Sequence, residues 1–403
     1  MRHGRFLTVA GEVVDEVLVV SMPAGRSYTG LDQVEIFCHG GCHVVRVILE
    51  EILAAGARPA EPGEFTKLAF LNGRIDLSKA EAVAEIVAAS TQTSYRAGLD
   101  HLVGTYSDYV DELRNRLLAA LSDIEASIDF GEEETDSVDF QQLRSQLGEI
   151  GWQVDRLAAT YRGGRIIREG YRIAVWGRPN AGKSSLFNLL LEQERALVDP
   201  TAGTTRDYLS EWIDLDGIAV NLTDTAGFRT SADRVEQKGQ VKARNIVDRA
   251  DLVLWMTDIT APDWQADLAK DLKGLVDKNK LLIGNKIDLV PAFRGSVPED
   301  LFPLSCLTRE GLNELRVALV TFINGSLPDL TAGQVVTSAR HRRCLDLASE
   351  SIGRAVSALE GGESPEIIAL EVRQAADSLG EITGKVYTEE ILGEIFSRFC
   401  IGK

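Results

Sequence analysis

The spacing of apolar residues changes character several times along this chain, and each change marks a boundary. Val13 to Val20 and Gln33 to Cys38 are short runs rich in β-branched residues, which predict strands, while Val44 to Ala55 has helical spacing. Residues 1–75 therefore read as an α+β domain, with no element expected ahead of the strand at Val13. From 76 to 165 apolar positions recur every third or fourth residue in long Ala/Leu/Glu-rich stretches, which predicts helices. An acidic insertion, Asp129-Phe130-Gly131-Glu132-Glu133-Glu134-Thr135-Asp136, interrupts them and reads as a solvated loop. From 168 to 328 strand and helix patterns alternate, the mark of a parallel sheet covered on both faces. Residues 335–403 return to helices. There Leu345, Ala348, Ile352, Ala355, Val356 and Leu359 form one apolar stripe, which needs a partner to be buried. It is expected to pack on the helices of 76–165. The α/β unit is then inserted into a single helical domain built from both sides of it.

Composition narrows the class. At 403 residues the chain is long enough for two or three cores, and 44% of it is apolar. No apolar run reaches the length of a membrane span and no charged-then-apolar leader opens the chain, so a cytoplasmic protein is expected. Five cysteines (Cys38, Cys42, Cys306, Cys344, Cys400) in a chain of this size do not make a disulfide framework. The net charge of −18 argues against a module that simply holds RNA by its backbone. If nucleic acid is bound, a local patch or a partner must supply the positive surface.

The chemistry is concentrated in three ordered motifs. Gly177-Arg178-Pro179-Asn180-Ala181-Gly182-Lys183-Ser184 has the spacing of a phosphate loop and lies between the strand-like Tyr171–Trp176 and the helical Ser185–Leu191. There backbone N–H groups and Lys183 meet the β/γ-phosphates, and the Ser184 hydroxyl ligates Mg²⁺. Asp224-Thr225-Ala226-Gly227 follows another apolar run, where a strand-end carboxylate holds the metal or its water and Gly227 lets backbone approach the γ-phosphate. Asn285-Lys286-Ile287-Asp288 follows a third. Its Asp carboxylate can accept from both guanine N1 and N2, a pair that adenine lacks. Ser305-Cys306-Leu307 adds backbone contacts to the base. Together these predict a GTPase of the translation-factor type.

Two details refine the mechanism. Phe228 stands where Ras-like proteins use Gln to orient the attacking water, so another polar residue must serve; Arg229, Asp233, Arg234 and Glu236 are the candidates. No arginine finger is evident, but Asn180 places a carbonyl beside the β/γ-bridge, where a monovalent cation supplies equivalent charge. The segment Gly203-Thr204-Thr205-Arg206-Asp207 reads as a switch.

With these motifs set between helical flanks, the chain resembles the MnmE (TrmE) family of tRNA-modification GTPases. Pro62-Gly63-Glu64-Phe65-Thr66-Lys67-Leu68-Ala69-Phe70-Leu71-Asn72-Gly73-Arg74 resembles the family signature leading into its helical domain. His39-Gly40-Gly41 matches an N-terminal motif, and Phe399-Cys400-Ile401-Gly402-Lys403 the C-x-G-K ending. The resemblance implies a homodimer that binds formyl-tetrahydrofolate and modifies the wobble uridine of tRNA with an FAD-dependent MnmG-like protein, in a heterotetramer. It implies GTP contacts from Asn180, Ala181, Gly182, Lys183, Ser184 and Ser185, and from Asp199, Pro200, Thr201, Ala202, Gly203, Thr204 and Thr205. Asp224, Thr225, Ala226, Gly227, Asn285, Lys286, Asp288, Ser305, Cys306 and Leu307 complete that set. K⁺ is expected on Asn180, Asp199, Thr201 and Thr204, and Mg²⁺ on Ser184 and Thr205. Glu236 becomes the residue that orients water, Cys400 the one that serves the modification step, and Glu35, Arg74 and Lys403 the folate contacts.

The chain departs from the family pattern in two ways. The usual opening segment, with its first strand, is not present, which puts the folate site and the N-terminal dimer contact in question. Arg74 stands where Lys is often found, a change that keeps charge but not shape. Cys38-His39-Gly40-Gly41-Cys42-His43 crowds its potential ligands too closely for the two-pair spacing of zinc sites, and reads as a glycine turn into a helix. The competing reading is a ribosome-assembly or regulatory G protein of the Era or Der type, acting by binding only. Such proteins append a basic RNA-binding domain, which this acidic chain lacks. No basic amphipathic helix points to a membrane.

Overall fold

The computed structural model of the chain describes residues 1–130, 139–197, 209–224, 244–272, 278–290, 301–327, 333–399 and 402. It divides into two units, one comprising 1–87, 99–155 and 343–403, the other 88–98 and 156–342.

The first unit opens with three antiparallel strands in the order β1 (Arg2–Leu7), β2 (Val13–Met22), β3 (Gln33–Phe37). The first of these corrects the expectation that nothing precedes Val13. Arg2-His3-Gly4-Arg5 hides the strand because an edge strand exposed on one face tolerates charge there, and His3 and Arg5 approach Glu16 of β2. Helix α1 (Cys42–Ala54) follows from the Gly40-Gly41 turn, and α2 (Glu64–Leu71), α3 (Leu77–Ala88) and α4 (Gln92–Val103) come next in the chain.

The helical core of this unit is built on α5 (Thr105–Phe130). Its Tyr106, Val110, Leu113, Leu117, Ala120, Leu121 and Ile124 are buried at helical spacing. Within α6 (Phe140–Ala159) the chain passes into the second unit, to which α7 (Tyr161–Glu169) belongs, and it returns within α11 (Ala339–Gly361), followed by α12 (Pro365–Thr383) and α13 (Glu389–Phe396). Helix α12 lies along α5: Thr383 donates to Asp111 at 2.9 Å, and Arg373 pairs with Glu125. Helix α11 lies on α6, where Ser349 donates to Asp155 at 2.6 Å and Ile352 covers Gly151, which has no side chain to hold it off. The stripe Leu345, Ala348, Ile352 and Ala355 is thereby buried.

The second unit is an α/β sheet of seven strands in the order β10-β9-β8-β4-β7-β6-β5. These are β4 (Tyr171–Gly177), β5 (Arg195–Ala196), β6 (Leu209–Leu215), β7 (Ile218–Asp224), β8 (Leu252–Asp258), β9 (Lys280–Asn285) and β10 (Leu301–Leu304). Five strands are parallel, as expected; β6 and β5 run antiparallel at one edge, which was not. The cause is the two-residue turn Asp216-Gly217. Both residues have positive φ (57° and 83°), the geometry that closes a tight hairpin, and Asp-Gly is its usual sequence. Helices α8 (Lys183–Gln193), α9 (Trp264–Leu272) and α10 (Leu312–Asn324) complete the labelled elements. β4 sits between β7 and β8, and its Ile173 and Val175 pack with Leu186, Phe187 and Leu190 of α8 in the core. Among the described residues no helix is long and apolar enough to cross a membrane.

Candidate nucleotide site

The carboxyl ends of parallel strands are where open α/β sheets present loops to a ligand, and four of those ends carry the motifs. The loop after β4 turns on Asn180, whose φ of 62° is rare for a side-chain-bearing residue, and on Gly182, whose φ is 102°. A Cβ on Gly182 would lie 2.1 Å from Asn285 Nδ2, so no larger residue fits without displacing that amide. Lys183 begins α8; it is buried and its Nζ donates to the Arg178 carbonyl at 2.8 Å. The loop thus wraps around the ammonium. Outside it, the Arg178 guanidinium reaches Asp267 at 2.5 Å and Asp271 at 3.2 Å, tying the loop to α9.

Ser184 and Asp224 meet as the sequence requires. The hydroxyl donates to Asp224 Oδ2 at 2.8 Å, and Asp224 is fully buried at the end of β7. A hydroxyl and a carboxylate are hard oxygen donors, the chemistry that suits Mg²⁺. Ser185 is exposed on the next position of the helix.

Asn285, at the end of β9, joins the phosphate loop to the base loop. Its Nδ2 donates to the Ala181 carbonyl at 2.8 Å and its Oδ1 accepts the Cys306 N–H at 3.0 Å. Lys286 adopts a left-handed conformation (φ 72°) that sends its chain to Asp258 at the end of β8, 2.5 Å away. Desolvation opposes the charge on Asp258, but hydrogen bonds from Lys286 and Thr260 outweigh it and hold the carboxyl below its ordinary range. Asp288 accepts the Ser305 hydroxyl at 2.6 Å, and the same Ser305 oxygen accepts the Thr308 N–H at 3.1 Å. Cys306, next in this loop, is partly buried. Burial first, and Asp288 second, push its thiol up to about 11, so it stays protonated at neutral pH. Leu307 is exposed beside it.

Sequence reasoning did not single out Asp258, Asp267 or Asp271. Asp258 was discoverable, since it ends an apolar strand as Asp224 does; the two α9 carboxylates leave no such mark. Asp199, Pro200, Thr201, Ala202, Gly203, Thr204, Thr205, Thr225, Ala226, Gly227 and Glu236 lie outside the described residues, as do Phe228, Arg229, Asp233 and Arg234.

The remaining candidates belong to the first unit. Glu35 on β3 accepts from Gln33 Nε2 at 3.0 Å, and Gln33 accepts from Thr29. Asn72 holds the Thr29 carbonyl at 2.9 Å, and a Cβ on Gly30 would lie 3.3 Å from the Arg74 side chain. One loop, 29–33, therefore links Glu35 to the end of α2 where Arg74 stands. Gly63, before α2, packs against the Phe396 carbonyl and Phe399, so the Pro62–Arg74 motif and the C-terminal stretch come together. Cys400 and Lys403 themselves are outside the described residues. His39 is anchored by its ring to Asp15 at 2.7 Å and by its backbone N–H at 2.8 Å, which pins the Gly40-Gly41 turn. Among the described residues no cluster of three or more His, Cys, Asp or Glu is placed to hold a metal.

Comparison with known proteins agrees with this organisation. Residues 77–400 match the model of the MnmE helical domain and residues 1–74 that of the GTP-binding protein TrmE N-terminus. A tRNA modification GTPase MnmE from Akkermansia muciniphila is 44% identical over 98% of this chain and 87% of its own length. Another from Moorella thermoacetica is 43% identical over 98% and 87%. Among solved structures, Era of Aquifex aeolicus bound to GDP·AlF4⁻ is 24% identical, covering 45% of this chain and 66% of that one, with a TM-score of 0.29.

Proposed function

The chain belongs to the MnmE family of tRNA modification GTPases, and from that membership we propose that it hydrolyses GTP to drive modification of the tRNA wobble uridine at C5. The observation that carries the GTPase reading is the convergence of Lys183, the Ser184–Asp224 pair and the Asn285–Asp288 segment at adjacent strand ends. Lys183 neutralises the β/γ-phosphates. Asp288, steadied by Ser305, takes the guanine N1 and N2 protons, while Asn285 holds the phosphate and base loops at a fixed separation. Ser184 and Thr205 hold Mg²⁺, with Asp224 beside them, and the ion supplies charge at the phosphates. Asn180, exposed on its left-handed turn, joins Asp199, Thr201 and Thr204 in holding K⁺, which stands in for a donated guanidinium. Glu236 orients the attacking water, because Phe228 has no group to do so.

The modification chemistry belongs to the other unit. Residues 1–75 act as the folate-binding and dimerisation domain, 76–165 and 335–403 as one helical domain, and 168–328 as the G domain. Glu35 suits the amino-pyrimidinone edge of formyl-tetrahydrofolate and Arg74, with Lys403, its anionic tail; the loop linking Glu35 to Arg74 supports that assignment. The folate supplies the one-carbon unit. Cys400 follows Phe399, which is packed beside the Gly63 turn, and serves the modification step. The partners are a second copy of the chain, an MnmG-like FAD protein and tRNA, in the cytoplasm.

Two measurements together test this reading. The purified chain is expected to hydrolyse GTP, and nucleoside analysis of tRNA from cells lacking it is expected to show unmodified wobble uridine. Normal modified uridine in those cells would overturn the proposal; a Cys400→Ser chain should hydrolyse GTP normally yet fail to restore the modification.

A further inference from the structure

A chain of net charge −18 whose substrate is a polyanion needs a positive surface, either its own or a partner's. Such a surface exists in the second unit. The stretch 156–172 carries Arg156, Arg162, Arg165, Arg168 and Arg172 against a single carboxylate, Glu169, and contains no Lys. Its helix α7 buries Gly163, Gly164, Ile166 and Ile167, leaving Arg162 and Arg168 exposed. A second basic stretch, Arg340-His341-Arg342, is brought onto the first by three contacts. The Val336 N–H donates to Thr160 Oγ1 at 3.0 Å, and Arg342 donates to the Ala158 carbonyl at 2.5 Å. Between them Gly164 lets the backbone of Val336 lie directly on the helix, since a Cβ there would come within 2.1 Å of its carbonyl oxygen.

We infer that this arginine-rich face is where the sugar–phosphate backbone of the tRNA docks. The inference rests on the reading above that tRNA is the substrate, and adds where the chain holds it. Charges beyond about 8 Å are largely screened at physiological salt, so the distant acidic surface does not cancel the strip, and among the carboxylates bonded within it are Glu169 and Asp251. Its composition favours phosphate over an acidic protein. Guanidinium forks bind phosphate oxygens in pairs, and every basic residue in these two stretches other than His341, which is buried, is Arg. Three of these arginines are engaged within the protein: Arg165 is tied to Asp251 at 2.5 Å and fastens α7 to the sheet, Arg172 pairs with Glu169 at 3.2 Å, and Arg342 is bound to the Ala158 carbonyl. Arg162 and Arg168, both exposed, stand about 9 Å apart along the helix axis.

The test is titration of the full chain with an in-vitro-transcribed tRNA carrying uridine at the wobble position, between 50 and 200 mM KCl, roughly the range over which phosphate contacts report. The Arg162→Glu/Arg168→Glu double variant should weaken binding by at least about tenfold and lower the salt slope by about two. GTP turnover should stay within about twofold, since neither residue is in the nucleotide site. Arg162→Lys/Arg168→Lys should keep most of the salt slope, which separates lost charge from lost folding. Unchanged tRNA affinity in the Glu variant overturns the placement. Loss of a protein partner from that variant with tRNA binding intact overturns it too, by assigning the face to a protein. A wild-type chain that hydrolyses GTP but binds no tRNA even at low salt would sink the underlying reading instead.

Discussion

Replacing Asn285 with Ala removes one side chain that serves two loops, and the cost can be worked from its contacts. Asn285 is 2% exposed; its amide donates to Ala181, which is 1% exposed, and accepts from the Cys306 N–H. Alanine leaves that carbonyl and that N–H without partners. A buried polar group so orphaned costs about 1–3 kcal/mol. Cys306 is only partly buried, so water reaches its N–H and the low end applies there. In the free variant the two loops separate and water satisfies both groups, so the total of about 2–4 kcal/mol is met only when nucleotide draws the loops back together; at ~1.4 kcal/mol per tenfold that is roughly a 30- to 700-fold loss of nucleotide affinity. Because Asn285 braces the loops rather than the γ-phosphate, GDP and GTP should suffer alike. Titration with fluorescent analogues of both nucleotides reads this directly. Asn285→Asp should be no better, since it sets a carboxylate oxygen against the Ala181 carbonyl. An affinity within threefold of wild type, or a loss confined to GTP, would refute the bracing role.

GTP turnover in KCl should exceed that in NaCl at equal ionic strength by at least about tenfold, on the argument that a cation replaces an arginine finger; equal rates would remove Asn180 from the mechanism. Glu236→Ala should abolish hydrolysis while GTP affinity stays within a few-fold, and a large loss of binding instead would mean that it contacts nucleotide rather than water. Alkaline pH should destabilise the second unit. The Cys306 thiol, ordinarily near 9.0, is pushed up to about 11 by burial, so only the unfolded chain releases that proton between those values. Stability is therefore full below pH 9 and falls by roughly 1 kcal/mol per unit above it. Tyr171 is pushed up to about 12 by burial and Asp251, so its loss begins above pH 10. Urea unfolding at pH 9 and 10 should show the fall in the wild type and little of it in Cys306→Ala; the same slope in both would exclude the thiol as its source.

The phosphate loop was legible because its function resides in the backbone, and backbone geometry is written in glycine spacing. Gly182 is required by a positive φ and by an amide lying 2.1 Å from any Cβ, and both constraints reduce to one letter. Asp224 and Asn285 were legible as polar residues ending apolar strands. What stayed hidden depends on pairings between distant segments. The Arg178 clamp to Asp267 and Asp271 joins ordinary surface residues 89 and 93 positions away. Strand β1 leaves little hydrophobic alternation in the sequence, because Arg2, His3 and Arg5 occupy its exposed positions. The antiparallel edge could have been read from Asp216-Gly217, but the strand–helix alternation on either side drew the parallel assignment across it.

The first unit's discontinuity also dictates when it can form. Helix α5 ends at Phe130 and its companion α12 begins at Pro365, with the whole G domain encoded between them. At about 5–20 residues per second, a ribosome needs roughly 12–47 s to cover that interval. During it the apolar side of α5 has no permanent cover, while the nucleotide unit has all its strands and can close. Synthesis thus favours the later-encoded sheet maturing before the helical core of the first unit. A nascent chain stalled before Pro365 should resist protease across the sheet and be cut within Thr105–Phe130.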